Sequence, residues 1–215
     1  MSLTLHFHPL SSFCHKALIA LYENGTPFSP HMVNLMDEGE RTALRKLWPI
    51  GKFPVLRDEA RGETVPESTV IIEYLDQHYP GRTRFIPQDG EQARETRLRD
   101  RLFDLYLHLP MQKIIGDRLR PDGRKDPHGV EEARATVDTA LGIIEPEMAS
   151  RHWAMGDVFT IADCAAAPLF YLDKIAPLGA RYPNVAAYLE RLKQRPSYAR
   201  TLQEAEPYMQ FFPKG

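Results

Sequence analysis

Two adjacent serines stand between the first predicted strand and the first predicted helix. They are Ser11 and Ser12 in the run HPLSSFCHKALIAL. A helix start collects unpaired N–H groups and a partial positive charge, so it favours an anion. A serine hydroxyl at that place can donate a hydrogen bond to a thiolate and keep it ionised. Serines are also ordinary helix caps, and the turn taken alone favours that simpler interpretation.

Two later motifs could hold a short, charged, peptide-like ligand. In PIGKFP, Phe53 precedes Pro54 and is pushed toward extended backbone, ready to pair with a peptide, while Lys52 offers a cation to a carboxylate. In PES, Glu67 and Ser68 open a helix. A ligand carboxylate can bind the Ser68 hydroxyl and the N–H groups there, and Glu67 can meet an ammonium group. Taken singly, an ordinary turn and an ordinary helix cap explain these two motifs.

The pattern of apolar residues predicts two kinds of domain. Residues 1–80 alternate between strands and helices, which argues for an α/β layer structure. The predicted strands cover 3–7, 31–35, 55–57 and 63–66, and the predicted helices cover 12–22, 37–47 and 67–79. Residues 81–90 form the predicted linker, and residues 91–215 are predicted to be all-helical, with helices at 92–119, 130–150, 161–176, 183–194 and 197–205.

In their order and spacing the motifs resemble the glutathione transferase superfamily. Ser11-Ser12-Phe13-Cys14 resembles its active-site turn, and Phe53-Pro54 resembles the residue before its cis-proline followed by that proline. Glu67-Ser68 followed by IIEYLDQHYP is similar to its γ-glutamyl-binding helix. Downstream, GDVFTIADCAAAPLF at 156–170 resembles the signature of its helical domain, in which Thr160 and Asp163 are expected to form a capping box.

The resemblance implies a fold, a ligand and an activity. It implies a thioredoxin-like domain followed by an all-helical domain, a homodimer, and a substrate pocket between the domains. Lys52, Phe53, Pro54, Glu67 and Ser68 map onto the glutathione-binding region. The implied function is glutathione transfer to a small hydrophobic electrophile or hydroperoxide. The alternatives are a non-catalytic dimeric glutathione-binding module and a glutathione-dependent thiol oxidoreductase or isomerase.

The resemblance also ranks the candidates for thiol activation. Ser11 aligns with the nucleophilic cysteine of the glutaredoxin Cys-Pro-Tyr-Cys turn, so it is the first candidate and Ser12 is its nearest competitor. Cys14 aligns with the resolving cysteine of that turn. Without the partner cysteine, we expect Cys14 to be packed as a small apolar residue on the first helix.

On the helix predicted at 92–119, Tyr106 and Met111 are the expected substrate-pocket residues. They are expected to be the more exposed members of an apolar group on this helix. The other members, which are expected to pack between helices, are Phe103, Leu107 and Pro110.

Bulk composition restricts the remaining possibilities. The formal net charge of −2 gives no strong field for nucleic acid or an anionic membrane. Two cysteines suit a reducing compartment, and no apolar run approaches the roughly 20 residues that span a bilayer. A cytoplasmic protein is expected, without membrane or nucleic-acid partners. His6 and His8 share a strand face, but no third ligand has a suitable spacing, so no metal is expected.

Overall fold

Four short strands form one mixed sheet in the first part of the chain. The computed structural model describes residues 2–213. The strands are β1 (Leu3–Phe7), β2 (Ser29–Met32), β3 (Val55–Asp58) and β4 (Glu63–Pro66), in the spatial order β2-β1-β3-β4. β1 pairs parallel with β2 and antiparallel with β3, which pairs antiparallel with β4.

The period-two pattern of β1 determines which face of the sheet is covered. Leu3, Leu5 and Phe7 are buried, whereas Thr4 and His6 between them are partly exposed. The buried residues join apolar side chains of α1 (Ser12–Glu23) and α3 (Ser68–His78) in one core. A smaller cluster of Val33, Leu44 and Val55 involves α2 (Glu38–Leu47).

The second part of the chain is built from helices. They are α4 (Gly90–Phe103), a π-helical stretch (Asp104–His108), α5 (Leu109–Arg118), α6 (Pro127–Met148), α7 (Ile161–Cys164), α8 (Pro168–Ile175), a 3₁₀ turn (Leu178–Ala180) and α9 (Pro183–Gln194). The predicted fold class is confirmed, with a small mixed-sheet domain followed by a helical one. The single helix predicted at 161–176 is two helices, because Pro168 has no N–H to continue the hydrogen-bond ladder and instead begins α8.

The structure consists of two compact units, and their limits differ from those of the predicted domains at both ends of the helical domain. One compact unit consists of the residues up to Ile86 together with Pro196–Met209, and the other consists of the remainder. The last helix, α10 (Pro196–Ala205), therefore belongs with the sheet, although the sequence placed it in the helical domain. Side-chain hydrogen bonds join it to α1, with Ser197 donating to Glu23 at 2.7 Å and Tyr22 donating to Glu204 at 2.5 Å.

Within residues 2–213, no helix is both long enough and apolar enough to cross a membrane.

Candidate functional site

The strand register brings the three chemical motifs to one edge of the sheet. His6 of β1 lies opposite Val55 of β3, and Val55 lies opposite Pro66 of β4. The end of β1, the start of β3 and the end of β4 are therefore neighbours. The serine turn follows the first of these points, the Phe53-Pro54 loop precedes the second, and Glu67 follows the third.

Ser11 is the N-cap of α1, and its hydroxyl is suitably placed to act on a ligand. Its Oγ accepts the backbone N–H of Cys14 at 3.3 Å. Because the oxygen acts there as an acceptor, the hydroxyl proton remains available for donation to a thiolate. Ser12 lies inside the first turn of α1, one residue after the cap position. The geometry therefore favours Ser11 over Ser12 as the group that meets a ligand.

Cys14 is part of the core and not of the ligand surface. Its side chain is fully buried among the apolar residues that pack α1 on the sheet. Burial raises the pKa of the Cys14 thiol to about 12, although its hydrogen bonds with the Ser11 side chain and the His8 backbone act in the opposite direction. A thiol with this pKa is neutral at physiological pH, so the expected packing role of Cys14 is confirmed.

The loop before β3 presents a peptide backbone. The Phe53–Pro54 bond is cis, as the resemblance implied. Pro54 is buried, whereas Phe53 is partly exposed and Lys52 is exposed. No residue of the described part of the chain forms a backbone hydrogen bond with Phe53. The N–H and carbonyl of Phe53 are therefore available to pair with a ligand.

The start of α3 combines an unusual backbone with an uncapped helix end. Glu67 has a φ of 68°, the one positive value at a residue other than glycine within 2–213. Its side chain makes no capping hydrogen bond to α3, whereas α1, α2, α4 and α6 are each capped by a side chain. Ser68 follows, and its hydroxyl has no partner among the described residues. A positive φ at Glu67 and a helix start without a side-chain cap are features that anion sites share.

Two family matches cover most of the chain. Residues 5–83 match the family described as "Glutathione S-transferase, N-terminal domain", and residues 104–196 match "Glutathione S-transferase, C-terminal domain". The chain belongs to the glutathione S-transferase superfamily. The first match includes all three motifs at the sheet edge.

Known members of the superfamily resemble this chain over nearly its whole length. A "Stringent starvation protein A homolog" from Coxiella burnetii is 29% identical, covering 95% of this chain and 93% of that protein. "Glutathione S-transferase U22" from Arabidopsis thaliana is 28% identical, covering 96% of this chain and 92% of that protein. A crystal structure of a glutathione S-transferase from Methylobacillus flagellatus, with GSH bound, is 26% identical and has a TM-score of 0.86. That alignment covers 93% of this chain and 98% of the other.

A buried lysine joins α1, the helix that follows the serine turn, to α3. This link was not predicted from the sequence. Lys16 of α1 is fully buried, and its Nζ donates to Thr69 Oγ1 of α3 at 2.7 Å. The bond connects the first turn of α3 with the helix that Ser11 caps. A lysine at this place in the sequence looks like any helix cation, so only the fold reveals its partner, 53 residues away.

The two predicted substrate-pocket residues belong to the helical unit and differ in exposure. Tyr106 is 50% exposed, but Met111 is only 2% exposed. The expectation that Met111 is exposed is wrong, because α5 turns it into the core beside Ile114. The π-helical stretch adds a residue to the turn before α5, so a regular helical period misjudges which side chains face inward.

The described residues contain no cluster of three or more His, Cys, Asp or Glu side chains placed to hold a metal ion. His6, considered in the sequence for such a site, lies beside His31, with ring centroids 4.6 Å apart. Burial lowers the pKa of His6, and the neighbouring His31 lowers it further.

Proposed function

We propose that this protein is a glutathione transferase that binds glutathione at the described edge of the sheet and activates its thiol through Ser11. The observation that carries the proposal is the start of α3. There, strained backbone at Glu67, an uncapped helix end and an unpartnered Ser68 hydroxyl adjoin the serine turn.

The proposed ligand contacts match the chemistry of glutathione group by group. The Ser11 hydroxyl donates to the thiolate. The backbone of Phe53 pairs with the peptide, and Lys52 attracts a carboxylate. Ser68 and the first N–H groups of α3 bind the γ-glutamyl carboxylate, and Glu67 meets the γ-glutamyl ammonium group. Several contacts along a short peptide hold the sulfur next to an electrophile, and this positioning is the larger part of the expected rate gain.

The second candidate is a non-catalytic, dimeric glutathione-binding module. It is favoured by the similarity to a "Stringent starvation protein A homolog", whose name does not describe a transferase. A thiol oxidoreductase is a weaker candidate, because its nucleophile would have to be Cys14, which is fully buried.

Calorimetric titration with glutathione tests the binding part of the proposal. A panel of small hydrophobic electrophiles and hydroperoxides, assayed with glutathione, then tests transfer. Binding with turnover supports a transferase, and binding without turnover on any compound supports the module. Absence of binding at millimolar glutathione would overturn both candidates.

Replacing Glu67 by glycine should separate stability from ligand binding. Glycine adopts a φ of 68° without strain, so Glu67→Gly should raise the free energy of unfolding by about 1 kcal/mol. Loss of the carboxylate should weaken glutathione binding about tenfold, because a hydrogen bond to a charged group is lost. Urea unfolding and calorimetry measure the two effects.

Glu67→Ala is the matched control for this substitution. It removes the same carboxylate but keeps a side chain in the strained conformation, so it should weaken binding equally without stabilising the fold. Unchanged glutathione affinity in both variants would show that Glu67 does not contact the ligand.

We also propose that the protein is a homodimer that associates through the helical unit. Apolar side chains on α4, the π-helical stretch, α5 and α6 are between 41% and 57% exposed, and they are Leu98, Leu105, Tyr106, Leu109 and Ile143. Two of them, Tyr106 and Ile143, line a cavity of about 330 Å³ together with Leu102. Large apolar surfaces of this kind mark interfaces, and a second copy of this chain is the proposed occupant. Tyr106 belongs to this face, and its role in a substrate pocket stays a prediction.

Replacing Leu105 by lysine should dissociate the proposed dimer. Two lysines would then be buried in one symmetric interface, which should raise the dissociation constant at least about 30-fold. Light scattering at micromolar concentration distinguishes the 24.6 kDa monomer from twice that mass. Val158→Lys is the control, since Val158 is also an exposed apolar residue and lies outside this face. A monomeric wild type, or an unaffected Leu105→Lys dimer, would rule out the proposed face.

A further inference from the structure

Hydrogen bonds with two histidines fix the backbone just before Ser11. The N–H of Leu10 donates to His8 Nδ1 at 3.2 Å, and the N–H of Ser11 donates to the carbonyl of His8 at 3.0 Å. His15 Nε2 lies 2.6 Å from the carbonyl of Pro9 and donates to it, since a carbonyl oxygen only accepts. Consecutive peptide groups before Ser11 are therefore fixed by bonds to His8 and His15.

The ring of His8 is itself held in place by two other segments of the same unit. It stacks on Phe53 of the loop before β3, with centroids 6.0 Å apart and an angle of 20° between the planes. Tyr208, in the 3₁₀ turn Glu206–Phe211 after α10, meets the ring edge-on at 6.2 Å. Of these two neighbours, only Tyr208 has a titratable group.

The bond to Leu10 requires an unprotonated Nδ1, which means the neutral ring with its proton on Nε2. Burial lowers the pKa of His8, which favours the neutral ring.

We propose that His8 is a positioning residue for thiol activation. By accepting the Leu10 N–H, its ring fixes the turn that aims the Ser11 hydroxyl at the sulfur of glutathione. His8 does not touch the sulfur in this arrangement. The stack on Phe53 also couples the two loops that the proposed function assigns to the thiol and to the peptide backbone. This inference rests on that proposed function.

Two substitutions separate the acceptor of His8 from its ring. His8→Phe keeps an aromatic ring for the stack on Phe53 but removes the acceptor. His8→Asn loses the ring but places an amide oxygen close to where Nδ1 was, so it can still accept the Leu10 N–H. His6→Phe is the control, because His6 lies two residues earlier, within β1, and its ring contacts His31.

The variants are compared by kcat, by KM for glutathione, by the pKa of the bound thiol and by amide hydrogen exchange of Leu10. One neutral hydrogen bond corresponds to about a 3- to 10-fold effect. His8→Phe should therefore accelerate Leu10 exchange by about that factor. It should also raise the pKa of the bound thiol and lower kcat, but by no more than the few-fold loss expected for Ser11→Ala, because it acts only through the Ser11 hydroxyl. KM for glutathione should be unchanged. His8→Asn should restore kcat and Leu10 exchange toward their wild-type values, and His6→Phe should leave both at those values.

Wild-type kinetics and wild-type Leu10 exchange in His8→Phe would overturn the proposal. Equal impairment of His8→Phe and His8→Asn, accompanied by lower melting temperatures in both, would also overturn it, since only packing would then matter. If wild type does not bind glutathione, the proposed function fails. Faster Leu10 exchange in His8→Phe, returning to the wild-type rate in His8→Asn, would then still show that the His8 ring fixes the turn. Unchanged Leu10 exchange in His8→Phe would refute this.

Discussion

Asp163→Ala is expected to destabilise the helical unit by about 3–5 kcal/mol, a large fraction of the stability of an ordinary domain. Asp163 is fully buried in α7, and its carboxylate accepts the backbone N–H groups of Ala154 at 2.7 Å and Thr160 at 2.8 Å. It also accepts the hydroxyl of Tyr188 at 2.7 Å. Alanine would leave these buried donors without an acceptor, and each unpaired group costs about 1–3 kcal/mol.

Urea unfolding measures the effect, and Asp157→Ala provides the control. Asp157 is an exposed carboxylate in the loop before α7, so its removal should change the free energy of unfolding by no more than about 0.5 kcal/mol. If Asp163→Ala unfolds at the same urea concentration as Asp157→Ala, the buried carboxylate does not hold this unit together.

The same carboxyl group should make stability depend on pH. Burial raises the pKa of Asp163 to about 6, although its hydrogen-bond donors act in the opposite direction. The pKa in the folded state then exceeds the usual unfolded value of about 3.9, so the folded state binds more protons between these two values. The stabilisation that this pKa difference adds to the free energy of unfolding is therefore fully present below about pH 4 and declines as the pH rises through about 6. Asp163→Asn does not titrate, so the free-energy difference between wild type and this variant should change across that interval.

The capping box at Thr160 and Asp163 was predictable because its signal is local. A threonine followed three residues later by an acidic residue, before an apolar run, specifies both hydrogen bonds of the box, and the structure contains both. The strand at Glu63–Pro66 has its predicted bounds for a related reason. It is joined to β3 by a short turn, so neighbouring residues determine its register.

Features that depend on distant partners were not predictable. β2 begins at Ser29, two residues before the predicted start, because its limits are set by parallel pairing with β1 and not by its own pattern. The place of α10 depends on contacts such as Ser197 with Glu23, 174 residues apart. In the candidate site, a short motif indicated the serine turn, and the family resemblance implied the cis-proline. The turn's attachment to the ring of His8 was not, since a histidine at the end of a strand shows no preference for one partner.

Replacing Ser11 by alanine is expected to raise the pKa of the thiol of bound glutathione by about one to two units. A hydrogen bond to a charged group is worth about 1.5–3 kcal/mol, and about 1.4 kcal/mol corresponds to one pKa unit. Glutathione affinity should barely change, because Lys52, Phe53, Glu67 and Ser68 are proposed to hold the peptide elsewhere. The turnover rate at neutral pH should fall only a few-fold, because a more basic thiolate is also a better nucleophile. An absorbance titration of the thiolate in the complex measures the shift directly.

Ser11 also caps α1, so the loss of the cap must be distinguished from the loss of the thiol contact. Its Oγ accepts the Cys14 N–H, and removal of such a cap costs about 0.5–2 kcal/mol of stability. Asp37→Ala removes the corresponding cap of α2, where Asp37 accepts the N–H of Glu40 at 3.1 Å. That variant should lose similar stability without changing the thiol pKa. Ser11→Thr keeps a hydroxyl and should stay close to wild type.

The neighbouring residues complete the test of Ser11. Ser12→Ala and Cys14→Ala should leave the titration of the bound thiol unchanged, since Ser12 follows the cap position and Cys14 is fully buried in the core. A shifted curve in Ser12→Ala or Cys14→Ala, with Ser11→Ala like wild type, would move the activating group to another residue of the turn. If the thiol of bound glutathione ionises in wild type as it does in free glutathione, the fold binds the peptide without activating its sulfur. The non-catalytic module would then be the better account of this chain.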